Sequence, residues 1–468
     1  MIQPLQEISP PMRRLSAYIA EALSRPVPEA VAEKARHHIL DTLASMASGA
    51  HLHPGRLAID YIGALGGARE SSVVGTRLRT TAVNAALANG MLAHADETDD
   101  SHAPSRNHPG CAVVPAALAV AERTRAGGER FLRAVVLGYD VAARMNYALD
   151  AEAFAAASRS THSFGGTFGA GAAAGSLLGF DAEKVRHLLS LCAQQASGVG
   201  CNVRDSEHVE KAFDFGGMPA RNGVTAATMV AAGFTGVDDV FSGERNFFEA
   251  YSPNPNADLL ADGLGERFEI LGTNIKKWSV GSPAQSALDA MTHLMENEGL
   301  EAGHVASIRV HLPTRSARTV DNAPMPDINV QHLLAMLLID GRLTFHAIHD
   351  RKRMRDPSIL ALRAKISLVP SEELMNARPR RQAIVEAATD DGRVLSRRTV
   401  AVRGSADNPM TRDEVEAKAL DLLGDALGVR RAKAIVRAVR DVAGVPDMTA
   451  LRGLWQPASP ARRAEARR

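Results

Sequence analysis

The stretch HADETDDSHAPSRNHP, residues 94–109, is the segment around which the chain is organised. It holds three histidines, three aspartates, one glutamate and two serines. The Ala-rich segments on either side, residues 82–93 and 112–121, have the apolar spacing of helices. A polar loop between apolar helices can be a solvated connection, but this one is dense in groups that transfer protons. Because loops held by rigid elements often carry function, we interpret it as part of an active site.

Helical periodicity continues over the chain up to about Asn274, with almost no strand pattern. Asp181 is placed to cap one helix, and Asp41 is expected to be a solvated or capped side chain on another. We therefore predict an all-helical domain. Its other helices are predicted at residues 11–23, 27–47, 131–149, 170–178 and 219–232.

The pattern then changes to a mixture of helices and strands. Four short runs alternate apolar and polar residues at period two, as half-buried strands do: residues 306–312, 364–369, 382–388 and 394–402. The last two are joined by Asp390-Asp391-Gly392, which is a hairpin signal. From Thr411 the helical pattern returns, so we expect the chain to rejoin the helical domain.

The predicted fold class is therefore mainly α, with a large discontinuous all-helical domain and a smaller α+β domain. A chain of 468 residues is also too long for one ordinary core. The helical domain is predicted at residues 1–275 and 405–456, and the α+β domain at 276–404. Residues 457–468 are basic and rich in Pro and Ala, and we expect a disordered tail there.

Composition excludes several classes of function. A net charge of +1 gives no basis for binding nucleic acid or an anionic membrane surface. The three cysteines have no disulfide, zinc or iron–sulfur spacing. The N-terminus lacks the apolar run of a signal peptide, and no run approaches the roughly 20 residues that span a bilayer. A cytoplasmic protein is the simplest interpretation.

Three further polar segments interrupt the apolar pattern: residues 159–163, 211–217 and 274–279. The first two are expected just ahead of helices, and the third lies at the domain boundary. Taken singly, a lysine or histidine in such a place is most often a surface or capping residue, and Lys277 beside Trp278 suits a solvated edge. Together with the loop, they combine histidines, lysines and carboxylates. That combination suits proton transfer at a carbon next to a carboxylate.

Other chemistries have weaker support in the residues. A metal site remains open, because five side chains of the loop are competent ligands, but none forms an HExxH or HxH motif. The five are His94, Asp96, Asp99, His102 and His108. The glycine pairs at 165–166 and 216–217 match neither of the glycine-rich nucleotide-binding motifs, GxGxxG and the P-loop. We therefore predict neither metal nor cofactor.

The chain resembles the MmgE/PrpD family over nearly its whole length. That family includes 2-methylcitrate dehydratases, cis-aconitate decarboxylase and iminodisuccinate epimerase. The resemblance implies a smaller α+β lid domain, a homodimer and a cofactor-free site between the two domains. It rests on ILDTL at 39–43, NGMLAH at 89–94, DDS at 99–101, HP at 108–109, GYDV at 138–141 with Arg144, GTFG at 166–169, AYS at 250–252 and DG at 340–341.

The resemblance also implies which residues form the site, and all belong to the polar segments above. Proton transfer falls to His108 and His162, and Asp99 and Glu97 orient or tune these groups. Lys211 and Lys276 bind substrate carboxylates and stabilise negative charge. The further substrate-binding residues are predicted to be Ser101, Arg106 and Lys277, while His94, Asp96 and His102 are expected only to shape the loop.

This chain departs from the family pattern around these residues. Ser101 stands where threonine is usual, and Glu97 where aspartate is common. The segment that follows Lys211, FDFGGMPARNG, has one residue more than the common form. The usual Lys-x-aromatic-Pro is here Lys276-Lys277-Trp278-Ser279.

We predict a cofactor-independent lyase for a small di- or tricarboxylic acid, of the 2-methylcitrate dehydratase type. Decarboxylation and epimerisation of a related polycarboxylate stay open, because they share a carbanion-like intermediate. A non-catalytic carboxylate-binding protein of the same fold and a metal-dependent hydrolase are the two rival hypotheses.

Overall fold

The computed structural model describes residues 7–457, and the predicted basic tail lies outside them from residue 458 onward. Two compact units are formed. The large unit takes the chain up to Thr273 and again from Glu416, and the small unit takes Asn274–Val415. The mainly α fold class is confirmed. Within the described residues, no helix is both long and apolar enough to cross a lipid bilayer.

The large unit is built from helices and one short hairpin of β1 (Ser71–Ser72) and β2 (Arg79–Thr80). Helix α3 had no counterpart in the sequence prediction, because its mixed Gly, Pro and His content hides its apolar face. The helices are α1 (Pro10–Glu21), α2 (Glu29–Gly49), α3 (His53–Leu65), α4 (Ala82–Ala93), α5 (Gly110–Thr124), α6 (Gly128–Ala148), α7 (Ala151–Ala156), α8 (Thr161–Leu177), α9 (Ala182–Gln195), α10 (Val209–Ala212), α11 (Met218–Ala231) and α12 (Phe247–Tyr251).

The small unit contains a four-stranded sheet. Its strands are β3 (Val305–Pro313), β4 (Ile366–Ser371), β5 (Ala383–Thr389) and β6 (Val394–Thr399). Their order is β4-β3-β5-β6, with β3 and β4 parallel and the other pairs antiparallel. All four predicted strands and the predicted hairpin are confirmed. The helices are α13 (Gln285–Glu298), α14 (Thr314–Val320), α15 (Val330–Asp340), α16 (Phe345–His349), α17 (Pro357–Arg363) and α18 (Glu372–Asn376).

Helix α8 forms the centre of the large unit. Every residue from Ser163 to its end is buried, as expected for a helix that is small and apolar on all sides. A Cβ on Gly169 would lie 2.5 Å from the carbonyl oxygen of Gly138, so α6 and α8 touch backbone to backbone. This close packing fixes the position of the first turn of α8, which carries His162.

The expectation that Asp41 is solvated or capped is wrong. Its side chain is buried, and its Oδ1 lies 2.6 Å from Nζ of Lys418 on α19 (Arg412–Leu427). Lys418 also donates to the carbonyl oxygen of Thr98, 2.9 Å away in the polar loop. Burial raises the pKa of Asp41 to about 6, against the lowering effect of Lys418. The last helices, α19 and α20 (Val429–Arg440), follow the small unit along the chain.

Removing Lys418 should therefore be costly. The Lys418→Met variant keeps the apolar stem but leaves Asp41 buried without its cation, and we expect a loss of about 3–5 kcal/mol in unfolding free energy. Urea unfolding at pH 8 measures it, with Lys433→Met, an exposed lysine on α20, as the matched control. The double variant Asp41→Asn/Lys418→Met should regain much of the loss. A double variant no more stable than Lys418→Met would contradict this account of the pair.

Candidate active site

His162 lies in the first turn of α8, not ahead of the helix as predicted. The Ser160 side chain caps this helix by accepting from the Ser163 amide at 3.3 Å. Gly165, which suggested an irregular segment, is helical. A Cβ there would lie 2.7 Å from the Ala142 carbonyl oxygen, so glycine gives close packing at this position instead of a turn.

Lys211 also lies within a helix, which corrects the second placement. It belongs to α10, and the next five residues, Phe213–Gly217, form a π-helix that runs directly into α11. A π-helix accommodates one extra residue in an otherwise regular helix. The π-helix carries Phe215, whose ring lies among the candidate site residues.

The π-helix touches the end of α4 through two glycines. A Cβ on Gly90 would lie 2.4 Å from the carbonyl oxygen of Gly216, and a Cβ on Gly216 would lie 2.1 Å from that of Gly90. Any side chain at either position would push the two backbones apart. Helix α4 leads into the polar loop, so this contact sets the distance between the loop and the π-helix.

Asp99 holds two histidines of the loop. Its Oδ1 lies 2.9 Å from Nδ1 of His94 and 3.1 Å from Nδ1 of His108. Asp99 and His94 are completely buried, while His108 keeps 12% of its side chain exposed. A carboxylate at Nδ1 fixes the ring and directs the other nitrogen, Nε2, away from it. His108, whose Nδ1 hydrogen-bonds Asp99, is thus oriented for proton transfer, whereas Nδ1 of His94 lies near the same carboxylate without a hydrogen bond in residues 7–457.

Phe215 stacks between two histidines. Its ring centroid lies 3.5 Å from that of His162 and 4.4 Å from that of His94, and both pairs are nearly parallel. The rings of His162 and His94 would overlap if both lay on one face of Phe215, so they lie on its opposite faces. The His108 ring lies 5.1 Å from His162 and 5.4 Å from Phe215. The structure thus brings together His108 and His162, the two predicted proton-transfer residues.

Lys211 and Glu97 form an ion pair beside these rings, with Nζ in contact with Oε1. The same Nζ lies 5.2 Å from the centroid of Phe215, a distance suited to a cation–π contact. Both side chains are mostly buried, so the pair is little screened by solvent. One positive and one negative group therefore stand next to the histidine cluster.

Burial sets the protonation state of the cluster. The pKa of His162 lies well below 6.5, first because the ring is desolvated and then because His108, His94 and Lys211 disfavour a further positive charge. The pKa of His208 falls to about 3 for the same first reason, with Lys211 next. Both rings are neutral at pH 7 and can accept a proton or bind a metal ion.

A second carboxylate, Asp100, fixes the loop to the surrounding helices. It accepts hydrogen bonds from Nδ1 of His38 at 2.6 Å, the hydroxyl of Tyr139 at 2.5 Å and the amide of Gly110 at 3.0 Å. Burial tends to raise its pKa, but the hydrogen bonds from His38 and Tyr139 outweigh burial and hold it below 3.8. The loop is thereby tied to α2, α5 and α6.

Some predicted loop residues stand apart from the cluster. Asp96 accepts from the amide and hydroxyl of Thr98 at 3.0 and 2.7 Å, and His102 Nδ1 lies 2.7 Å from Oγ of Ser105, so both shape the loop. The Arg106 guanidinium pairs with Glu152 at 3.1 Å. Its substrate-binding role stays a prediction.

The predicted substrate-binding roles of Ser101, Lys276 and Lys277 also stay predictions. Ser101 is buried, and its Oγ has no hydrogen-bond partner in residues 7–457, so it is available to a ligand. Lys276 is buried in the small unit. Nζ of Lys277 lies 4.8 Å from the centroid of the Trp278 ring, a distance suited to a cation–π contact.

Sequence reasoning missed Phe215 and His208. The signal for Phe215 was that the segment after Lys211 departs from the pattern expected of the family. His208 gave no comparable signal, since it lies outside every motif. Two buried sets have donor atoms within 4.8 Å of one another and could hold a metal ion: His94, Asp99 and Cys111, and His94, Glu97 and His208.

Comparison with known proteins places the chain in a family. Residues 13–260 match the MmgE/PrpD N-terminal domain and residues 278–442 match the MmgE/PrpD C-terminal domain. The chain belongs to the MmgE/PrpD family, which confirms the resemblance seen in the sequence.

Curated relatives align over most of their length. The cis-aconitate decarboxylase-like protein oryM of Aspergillus oryzae is 24% identical over 475 residues, covering 94% of this chain and 96% of its own. A cis-aconitate decarboxylase of Aspergillus terreus strain NIH 2624 is 23% identical over 461 residues, covering 91% of each chain.

The contact between the π-helix and α4 can be tested with two glycines. Gly216→Ala should lower the unfolding free energy by about 1–3 kcal/mol or more, because the new methyl meets backbone that cannot rotate away. Gly424→Ala, on α19 where a Cβ meets nothing within 4 Å, should instead raise it by roughly 0.5–1 kcal/mol. Thermal unfolding of both variants provides the comparison. Equal effects of the two substitutions would argue against a tight contact.

Proposed function

We propose that the protein is a cofactor-independent lyase for a small di- or tricarboxylic acid, acting by proton transfer α to a carboxylate. The supporting observation is the pair His108 and His162, with ring centroids 5.1 Å apart and only His108 backed by the Asp99 carboxylate. Two adjacent imidazoles in unlike environments suit one acid and one base. Membership of the MmgE/PrpD family supports a reaction of this class.

In this proposal, the surroundings of His162 and His108 assign the first as the base and the second as the acid. His162 is desolvated and neutral, so in this proposal its free nitrogen accepts the α-proton of the substrate. His108 has Asp99 at Nδ1, which stabilises a positively charged ring. His108 is therefore assigned as the acid that protonates the leaving hydroxyl.

Lys211 supplies the positive charge that a polycarboxylate needs. Proton removal places negative charge on the neighbouring carboxylate, and a lysine in a mostly buried position stabilises it strongly. Glu97 holds Lys211 in place until substrate arrives, and the unpartnered hydroxyl of Ser101 hydrogen-bonds the substrate. Lys276 keeps the carboxylate-binding role that the sequence predicts.

Decarboxylation is the second candidate. Curated relatives that cover nearly the whole chain are described as cis-aconitate decarboxylases or as decarboxylase-like. Loss of carbon dioxide leaves a carbanion that also needs a proton donor and a lysine to stabilise charge. The same residues therefore serve either reaction, and the substrate decides between them.

A panel of acids distinguishes these hypotheses. Methylcitrate, citrate, cis-aconitate and hydroxy-dicarboxylates are each followed by absorbance of an unsaturated product, by carbon dioxide release and by deuterium exchange from solvent. We expect exchange on at least one acid that binds. Binding without exchange or product on any acid would favour a non-catalytic protein. Loss of activity after EDTA treatment would favour a metal-dependent enzyme.

His108→Gln should lower the turnover number on the active acid by about 10²–10⁴-fold, because the proton donor is lost. His304→Gln, an exposed histidine of the small unit, is the control and should leave the rate unchanged. Circular dichroism checks that both variants are folded. A loss below roughly tenfold in His108→Gln would contradict the assigned role.

The rate should also have a characteristic pH dependence. His162 acts as a base only when neutral, and its pKa lies well below 6.5. Lowering the pH from 8 to 6.5 should therefore cause no loss of kcat/KM, and activity should be lost only at lower pH as the His162 ring takes up a proton. A pH–rate profile on two acids of different pKa separates the enzyme from the substrate. An acid limb at or above pH 6.5 on both would contradict a neutral His162.

A further inference from the structure

His94, Glu97 and His208 form a buried set of metal-ligand groups beside the histidine cluster. One donor atom from each lies within 4.8 Å of the others. A tetrahedral ion with bonds of about 2.1 Å sets its ligands roughly 3.4 Å apart, so the largest separation has to close by little more than an ångström.

His94 and His208 each have a ring nitrogen that is available as a metal ligand. Nε2 of His94 and Nε2 of His208 are both buried and have no hydrogen-bond partner among the side chains and backbone that the structure describes. Leaving such an atom unsatisfied is costly, which is why buried polar atoms are nearly always paired. Nδ1 of His94 also makes no hydrogen bond within residues 7–457, although it lies 2.9 Å from Oδ1 of Asp99.

The backbone of His208 gives independent support. Its φ of +63° lies in the left-handed region, which non-glycine residues seldom adopt and which costs free energy. The residue is nevertheless buried, and its side chain makes no capping hydrogen bond to α10. Residues held in this region are often found at active sites and ligand-binding sites.

We propose that this set binds a divalent transition-metal ion, with Zn²⁺ the best match to two imidazoles and one carboxylate. The ion would take Glu97, the partner of Lys211, so metal and lysine compete for one carboxylate. A bound ion would then displace Lys211 from Glu97 and would not act as a cofactor. The inference concerns binding alone and does not rest on the proposed reaction.

Titration of the chelator-treated full chain with Zn²⁺ alone, by calorimetry and elemental analysis, tests this site. We expect one ion per chain, with affinity weakened at least about tenfold in His208→Asn and in Glu97→Gln. Asparagine tolerates the left-handed backbone at 208, and Glu97→Gln serves if that variant fails to fold. Lys211→Met should tighten binding, because it removes the competitor. His332→Asn, a buried histidine in neither set, should have no effect.

Three results would overturn the proposal. The folded protein could take up no zinc, or zinc affinity could be the same in wild type, His208→Asn and Glu97→Gln. Alternatively, Cys111→Ala could abolish binding and the Co²⁺-loaded protein could show a thiolate charge-transfer band. That last outcome would place the ion on His94, Asp99 and Cys111 instead.

Discussion

The buried carboxylate of Asp100 is the interaction on which the arrangement of the loop depends. It accepts three hydrogen bonds, from α2, from α6 and from the start of α5, and none of these donors can turn to solvent for another partner. A buried charge held in this way has a strict geometry, because any shift leaves part of it unpaired. Three helices and the loop therefore have one common fixed point.

Asp99, the residue before Asp100, contacts the histidines of the cluster and not the supporting helices. Its carboxylate contacts His94 and His108 in the cluster, while Asp100 contacts the scaffold. Two adjacent carboxylates with partners in two directions explain why a loop so rich in charge can be buried. The anchored residue fixes the backbone, and the neighbouring residue then presents its histidines at fixed distances.

Local composition singled out the polar loop as a candidate site. The roles of His108, Asp99 and Glu97 within it came from the family resemblance and stay predictions. His162 and Lys211 were placed just ahead of helices, because the predicted helices began at the Ala-rich runs 170–178 and 219–232, whereas the glycine-containing segments before them are also helical. Asp41 was misjudged for a related reason: its partner, Lys418, is distant in sequence and no local pattern reveals such a pair. Long-range contacts of this kind depend on tertiary packing.

Phe215 links the shape of one helix to the protonation state of the site. The π-helix places the apolar ring of Phe215 against His94 and His162. The ring excludes water from one face of each imidazole, and desolvation is the largest cause of the lowered pKa of His162. The same ring lies near Lys211, whose charge also opposes protonation of His162. The π-helix thus helps to keep the proposed base neutral.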